Sequence, residues 1–552
     1  MAVDTLPPRS PAPPPDSHGL PGGQGARLIA RLSGYRPNRV AIAGLLLALT
    51  LVSLYLRTRQ LNFYYWIDES ISVGISSHPL GQLLHLLRED GSPPLYYVLL
   101  HVWIRLFGSG EVATHWLSLI FALITVPVAY WGGASLFGRR AGAFSAVLAA
   151  GAPFVTSYAQ ETRMYSLVVL LSLIVAVSFV HVFVERRRRY LPVFSLALAA
   201  ALYTHNWALF LALATFAAYL FCVWSSPAPR RELWRDGLIG FGLVALLYLP
   251  WLPTLLYQAQ HTGAPWALPP VLWSLPDAFY FIAGGRGATM TLALAAGFGL
   301  FASGIGLLVR GPRLVSLRWA ETGDRSPAVA AAALAILTFG TLLIAWLYAK
   351  TTPAWAGRYL AVIVGPTIVL VALGLSRARG LGIVALVFAC CFWVLDPRPP
   401  SRDAKSNVAS LAHVMSRHTG PTTLVLSTQP EQVPALAHYL PKIAHFGTPL
   451  GPVPDPGVVD WRNALAKFEH SSVRTVLAPM VRSLAPGDRV LLVMPTDFAK
   501  SPPWMALIRR DSKTWMRYFE HDHRLRLIKT ASPYQYSSSL AVKGYLYVVR
   551  TG

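Results

Sequence analysis

From residue 40 onward the chain alternates long apolar runs with short polar stretches. Eleven runs stand out, at 40–56, 112–137, 141–159, 164–184, 190–204, 205–224, 237–256, 288–309, 327–349, 359–376 and 380–395. Most approach the ~20 residues with which an α-helix crosses the hydrocarbon layer of a bilayer. Basic clusters follow every second run, at Arg139-Arg140, 186–189, Arg230-Arg231-Arg235, 310–325 and Arg377-Arg379. Lys and Arg mark the cytoplasmic side of a membrane protein, so all five clusters face the cytoplasm together. Eleven spans then leave the N-terminus inside and everything beyond residue 397 outside.

Two stretches test that count. The apolar run 94–107 has helical spacing, but at 1.5 Å per residue it reaches only about 21 Å. It is expected to lie in the outer interface, with Tyr96, Tyr97 and Trp103 at headgroup level. The runs 190–204 and 205–224 must turn back on each other at Tyr203-Thr204-His205-Asn206.

The flanks are of other kinds. Residues 1–26 are rich in Pro and Gly with no apolar core, which predicts a disordered cytoplasmic tail. Arg27, Arg31, Arg36 and Arg39 then precede the first apolar run, at the start of a membrane domain taken as 27–396. From 397 to 552 the period shortens. β-like runs at 423–427, 474–478, 489–494 and 544–550 alternate with helical stretches at 407–417 and 432–440, and Pro486-Gly487-Asp488 marks a turn. This predicts a small extracytoplasmic α/β domain, a cover for the membrane part rather than a second enzyme.

Composition agrees. Of 552 residues 54% are hydrophobic and only 13% charged, against about a quarter charged in soluble domains. Mean hydropathy is +0.45. The net charge of +23 is largely Arg placed between spans, which speaks against nucleic acid as a partner. Cys222, Cys390 and Cys391 lie in apolar runs and offer neither a disulfide framework nor zinc-ligand spacing.

The polar residues that remain divide by side. Asp68, Glu69, Glu89, Asp90, Glu161 and Asp277 fall at outer ends of helices, and so do Arg163, His205, Arg286, Lys350, Arg358 and Tyr359. Acids beside a bilayer are costly unless water or a cation meets them, so they are candidates for function. A carboxylate can take the proton of an attacking hydroxyl. Arg can hold a phosphate leaving group with two parallel hydrogen bonds and stabilise its growing charge. The pattern suits a reaction between a lipid-anchored phosphate and an acceptor outside the cell membrane.

The ordered motifs carry a resemblance. They are Trp66-Ile67-Asp68-Glu69-Ser70, Asp90-Gly91-Ser92-Pro93-Pro94-Leu95-Tyr96-Tyr97, Ser157-Tyr158-Ala159-Gln160-Glu161-Thr162-Arg163-Met164-Tyr165, Tyr203-Thr204-His205 and Arg358-Tyr359-Leu360. Over roughly 40–396 the chain resembles the bacterial family-39-like glycosyltransferases of GT-C fold, relatives of protein O-mannosyltransferases and of the lipid A aminoarabinose transferase. Ser92 and His115 depart from the family pattern, which often has His and Arg there.

The resemblance implies a sugar donor linked to a polyprenyl phosphate, membrane lipid as surroundings, and a glycan, lipid or protein acceptor. Asp68 is the expected general base, with inversion at the sugar carbon, and Glu69 orients it or the sugar. Glu161, Arg163, His205, Arg286, Lys350, Arg358 and Tyr359 are the expected donor and phosphate residues, Arg358 meeting the phosphate. Asp68 and Glu161 are the ligands for Mg²⁺ or Mn²⁺ if a cation takes part. The expected location is the cytoplasmic (inner) membrane, multi-pass. The alternative is a transporter or flippase of a lipid-linked saccharide, whose binding groups belong near the midplane in broken helices.

Overall fold

The computed structural model describes residues 39–226, 230–303, 306–310, 313–318, 326–395, 402, 404–496, 502–533 and 541–551. The expected tail 1–26 and most of the basic cluster 310–325 lie outside these residues. Among those described, seven helices are long and apolar enough to cross a membrane: Arg39–Arg57, Glu111–Phe137, Tyr165–Val184, Ala208–Ser225, Arg230–His261, Pro327–Thr351 and Gly357–Arg377. Arg286–Ala302 and Gly380–Leu395 are apolar and shorter, and Arg139–Gly151 and Leu191–Leu202 complete the set of helices at the eleven apolar runs. The chain is a multi-pass membrane protein.

Helix Tyr165–Phe179 forms the axis, with nearly every residue buried. It has no polar face to give it one preferred side, so neighbours cover it all round. Small residues let them close in. A Cβ on Gly365, in helix Ala361–Arg377, would collide with the Leu173 backbone.

Some helices end where the sequence interrupts them. The run 141–159 breaks at Ala152, because Pro153 cannot continue a helix and starts the short helix Pro153–Tyr158 instead. Arg57 donates to the carbonyls of Ala149 and Ala150 at this break and to Ala122 O across from it. The hairpin expected at 203–206 is present, between Leu191–Leu202 and Ala208–Ser225. The short helix Leu95–Phe107 has 13 residues, but Tyr96 and Tyr97, expected at headgroup level, are fully buried instead, because their hydroxyls meet Ser118 and Arg163 inside the protein. One run was read too long. The helix expected to reach 309 stops at Ala302, and strand β1 (Gly306–Arg310) pairs antiparallel with β2 (Arg313–Arg318). The Gly residues of Ser303-Gly304-Ile305-Gly306 make continuation of the helix unfavourable.

The C-terminal part is an α/β domain around one mixed sheet of six strands. These are β3 (Leu424–Ser427), β4 (His445–Thr448), β5 (Gly451–Val453), β6 (Arg489–Pro495), β7 (Leu525–Ala531) and β8 (Val542–Val549), in the order β5-β4-β3-β6-β8-β7. Strand β3 runs parallel to β4 and β6, and the other pairings are antiparallel. Alternate side chains serve the two faces. Leu491 and Val493 join the core under Val408–Ser416 and Val433–Tyr439, while Val490 and Leu492 join that under Ala478–Arg482 and Pro503–His521. The run 474–478, expected as a strand, is instead the helical turn Val473–Leu477 leading into Ala478–Arg482. Its β-branched residues were misleading because Pro479 fits the first turn of a helix.

This domain is docked on the segment that follows helix Arg39–Arg57. Tyr439 OH accepts from Tyr65 N at 2.8 Å and donates to Glu111 Oε1 at 2.9 Å. Arg462 pairs with Glu89 at 2.9 Å, and His78 faces Asp455 at 2.9 Å. Helix Ile67–Ser77 touches the domain backbone to backbone: a Cβ on Gly74 would collide with the Gly457 carbonyl.

Candidate active site

The site is built on the first turn of helix Ile67–Ser77, which Asp68 and Glu69 open. Acids are favoured there by the exposed N–H groups and the helix dipole. Successive residues of a helix point about 100° apart, so the two acids part company. Glu69 turns inward and is fully buried; Asp68 keeps one edge exposed.

Glu69 fastens three pieces of chain to its own helix. Its Oε1 lies 2.6 Å from His115 Nε2 and accepts from Thr162 N at 2.8 Å. Lys405 Nζ donates to both carboxylate oxygens, at 3.3 and 3.2 Å. Burial would raise this carboxyl, but Lys405, His115 and the Thr162 N–H outweigh it and hold the pKa at about 2. Glu69 is thus a charged anchor for the loop 159–164, and its bonds lead away from Asp68.

Asp68 faces Arg358. The Oδ2 to Nε distance is 3.2 Å, with the side chains 16% and 19% exposed. The two atoms meet as charges without hydrogen-bond alignment, and neither has another hydrogen-bond partner among the described residues. Arg358 enters on the turn Gly357–Leu360, whose Gly357 packs against the Phe281 ring. Aromatic rings surround its guanidinium, with centroids at 4.6 Å for Trp266, 5.3 Å for Tyr359 and 5.5 Å for Trp66. Such faces attract a cation while leaving its N–H donors available.

Arg163 lies on the other side of the helix end. Its Nη1 donates to Asp68 O at 3.1 Å, Ser72 Oγ at 2.9 Å and Tyr97 OH at 3.5 Å. It therefore holds the backbone that carries Asp68. Glu161 is countered by Lys405, at 3.9 Å. Burial, together with Glu69 and Asp68, raises the Glu161 carboxyl to about 7 against the pull of Lys405. Asp90 joins from the end of helix Leu80–Asp90, where Gly91 takes the left-handed turn at φ 90°. Burial lifts its pKa to about 6, with Ser92 and Arg163 opposing and Asp68 adding to the rise.

The remaining expected residues divide. Tyr359 is the centre of an aromatic group, with centroids 4.8 Å from His205, 5.3 Å from Trp207 and 6.5 Å from Tyr165. His205 Nδ1 accepts from Trp207 N at 3.0 Å. Burial, helped by Arg163 and Arg358, lowers its pKa to about 3, so it is a neutral member of the wall. Arg286 and Lys350 are not brought to the acids. Both are exposed, Arg286 over the Tyr280 ring and Lys350 over Trp346.

The structure adds residues that the sequence did not single out for the site. Ser72, Tyr97, Trp66 and Trp266 belong to the geometry above, and Asp90 was visible only as one outer acid among several. Lys405 follows the last span by ten residues in an unremarkable polar stretch, and nothing in its surroundings in sequence signals an acid partner. Among the described residues no group of three or more His, Cys, Asp or Glu is placed to hold a metal ion.

An apolar cavity of about 400 Å³ opens between the helices, lined by Phe279, Met290, Leu292, Phe339, Val364 and Ile368 among others. The nearest link in sequence to the site is Val364, on the helix that follows the Arg358 turn.

Comparison with known proteins follows the same outline. Residues 91–256 match the sequence model of the dolichyl-phosphate-mannose-protein mannosyltransferase family. The fold is similar to that of ArnT from Cupriavidus metallidurans in the apo state, at 12% identity and TM-score 0.59, covering 92% of this chain and 98% of that one. The same enzyme bound to undecaprenyl phosphate gives 14% identity and TM-score 0.56, again over 92% and 98%. No curated protein sequence matches the chain. The resemblance read from the motifs stands: the fold is GT-C, with a small C-terminal sheet domain.

Proposed function

We propose that this protein is a glycosyltransferase that moves a sugar from a polyprenyl-phosphate donor to an acceptor on the outer face of the cytoplasmic membrane. The observation that carries the reading is the opposition of Asp68 and Arg358 at 3.2 Å, taken with the apolar cavity. A lipid-linked sugar phosphate has three parts, and each has a place here. The polyprenyl tail fits the cavity, the phosphate meets Arg358, and the sugar lies toward Asp68. The family matched over 91–256 and the undecaprenyl phosphate bound to ArnT support the same donor class.

In the reaction, the acceptor hydroxyl approaches Asp68, which takes its proton as the oxygen attacks the anomeric carbon. The bond from that carbon to the phosphate oxygen breaks, and the phosphate leaves with a charge that Arg358 stabilises. Direct displacement inverts the anomeric centre. Donor phosphate competes with Asp68 for Arg358, so its arrival frees the carboxylate to act as base. Arg163 holds the Asp68 backbone, and Glu69 fixes the loop that carries Glu161. Tyr359 and His205 form the wall of the donor site.

A Mg²⁺ or Mn²⁺ ion would be held by Asp68 and Glu161 with donor oxygens, and would supply further charge to the phosphate. These two acids already face Arg358 and Lys405, and the steps above run on protein groups alone.

The test is transfer by purified protein from polyprenyl-phosphate sugars, read with donor binding. Transfer with inversion is expected. A chain that moves lipid-linked saccharide across proteoliposomes but transfers no sugar would defeat the proposal.

A further inference from the structure

The site's acids are not balanced by the membrane domain alone. Lys405 belongs to the segment that enters the C-terminal domain, and its side chain is only 17% exposed. It donates to Glu69 and to Gln160 O at 2.8 Å, and pairs as a charge with Glu161 at 3.9 Å. One ammonium group thus bonds Glu69 and the backbone of the loop that carries Glu161, and faces the Glu161 carboxylate.

Its own backbone is tied on both sides. Upstream, Arg402 Nε donates to Asn62 O at 2.8 Å, and Arg402 O accepts from Tyr64 N at 3.1 Å. Downstream, Asn407 is buried and bonded into the sheet. Its Nδ2 donates to Val542 O at 3.1 Å and to Pro533 O at 3.0 Å, and its Oδ1 accepts from Val542 N at 2.9 Å. Lys405 is therefore held between the segment that follows helix Arg39–Arg57 and strand β8. The backbone that carries the ammonium cannot shift without moving one of them.

We propose that Lys405 is a positioning residue, contributed by the C-terminal domain, that sets the geometry of the acid site through Glu69, Glu161 and the loop 159–164. The inference rests on the glycosyltransferase reading above. It gives the C-terminal domain a part in turnover beyond covering the site. An ordinary buried counter-ion would need only charge at this point. A positioning residue needs three directed contacts, and the ammonium supplies three donors on a flexible stem, whereas the guanidinium of Arg is a rigid fork.

The experiment compares full-length wild type, K405M and K405R, purified in detergent. It reads thermal unfolding, binding of a polyprenyl-phosphate sugar, and kcat and KM for transfer. Misplacement of catalytic groups by about 1 Å can cost 10²-fold in rate, so K405M should lose up to about that factor in kcat. Donor binding should change far less, and K405R should be folded and intermediate in kcat. A folded K405M that turns over like wild type would overturn the inference. If K405M does not fold, K405R decides. Lowered kcat with normal unfolding and donor binding supports the positioning role; full turnover reduces Lys405 to a structural counter-ion and overturns it. A wild type that binds donor and transfers nothing removes the functional reading and this inference together. A wild type that transfers, matched by a folded K405M, removes this inference alone.

Discussion

Adjacent residues at one helix end have opposite fates here, and the chemistry follows the difference. Asp68 is half-open and paired with Arg358, so Asp68→Asn should leave the fold intact while lowering transfer by about 10²–10⁴. Unfolding and kcat measured on the same preparation check this. Arg358→Ala should lower kcat by about 10²–10³, as loss of a donor to a developing anion does, with Arg358→Lys between it and wild type. Unchanged turnover in the Ala variant would reduce Arg358 to an interface residue. The buried acids also give pH dependence of stability, with opposite signs. Asp90 titrates near 6 when folded against an ordinary 3.8. Between those values the folded chain binds more protons, so this contribution to stability falls as pH rises. Glu69, lowered from 4.5 to about 2, contributes stability above pH 4.5 that is lost as pH falls toward 2. Melting temperatures from pH 3 to 8 should therefore show a decline on the upper side that Asp90→Asn reduces between about 4 and 6. Glu161, raised to about 7, should keep its own share of that decline.

At the scale of elements, the contact of helix Ile67–Ser77 with the C-terminal domain is the most exacting. Gly74 and Gly457 bring two backbones together with no side chain between them. Gly74→Val should force them apart at a cost of about 1–3 kcal/mol, as overpacking does. Thermal unfolding measures the loss, and transfer should fall with it. Much of this scale was legible in sequence, since a run of apolar residues near the span length has few alternatives to a helix. The hairpin at 203–206 and the short helix Leu95–Phe107 follow from such length arguments. In the C-terminal domain the local signals were weaker. Strands β3, β6 and β8 lie at expected runs, whereas β7 carries exposed Leu527 and Ile528 beside Arg526 and shows no alternation to read. Asp68, Glu161 and Arg358 could be picked out as charges at helix ends. Lys405 could not, because its meaning lies in a contact 336 residues away.

The whole molecule has two sets of helix ends. Glu69, Thr162, Arg358 and Lys405 gather at one. At the other, Arg140 Nη2 reaches Arg379 O at 2.5 Å, Arg188 pairs with Asp236 at 2.6 Å, and Arg186 reaches Ser226 at 2.9 Å. Four of the five basic clusters thus lie together at these ends. Reporter fusions after Tyr158, Asn206 and Gln258 should report the outer compartment, and those near Arg140, Arg187 and Ala378 the cytoplasm. A cytoplasmic signal after Asn206 would overturn the orientation. The anchoring of Asn407 to β8 also has a consequence for biogenesis. Synthesis delivers the spans first, but Lys405 is fixed only when Val542 has left the ribosome. At ~5–20 residues per second, about 7–27 seconds separate the two residues. If Lys405 positions the acids as proposed, a growing chain carries its lipid-facing parts into the bilayer before its acid site is set. Chains stopped after Pro533 should insert normally and transfer sugar far more slowly than the full chain, which membrane extraction and a transfer assay on the same preparations check.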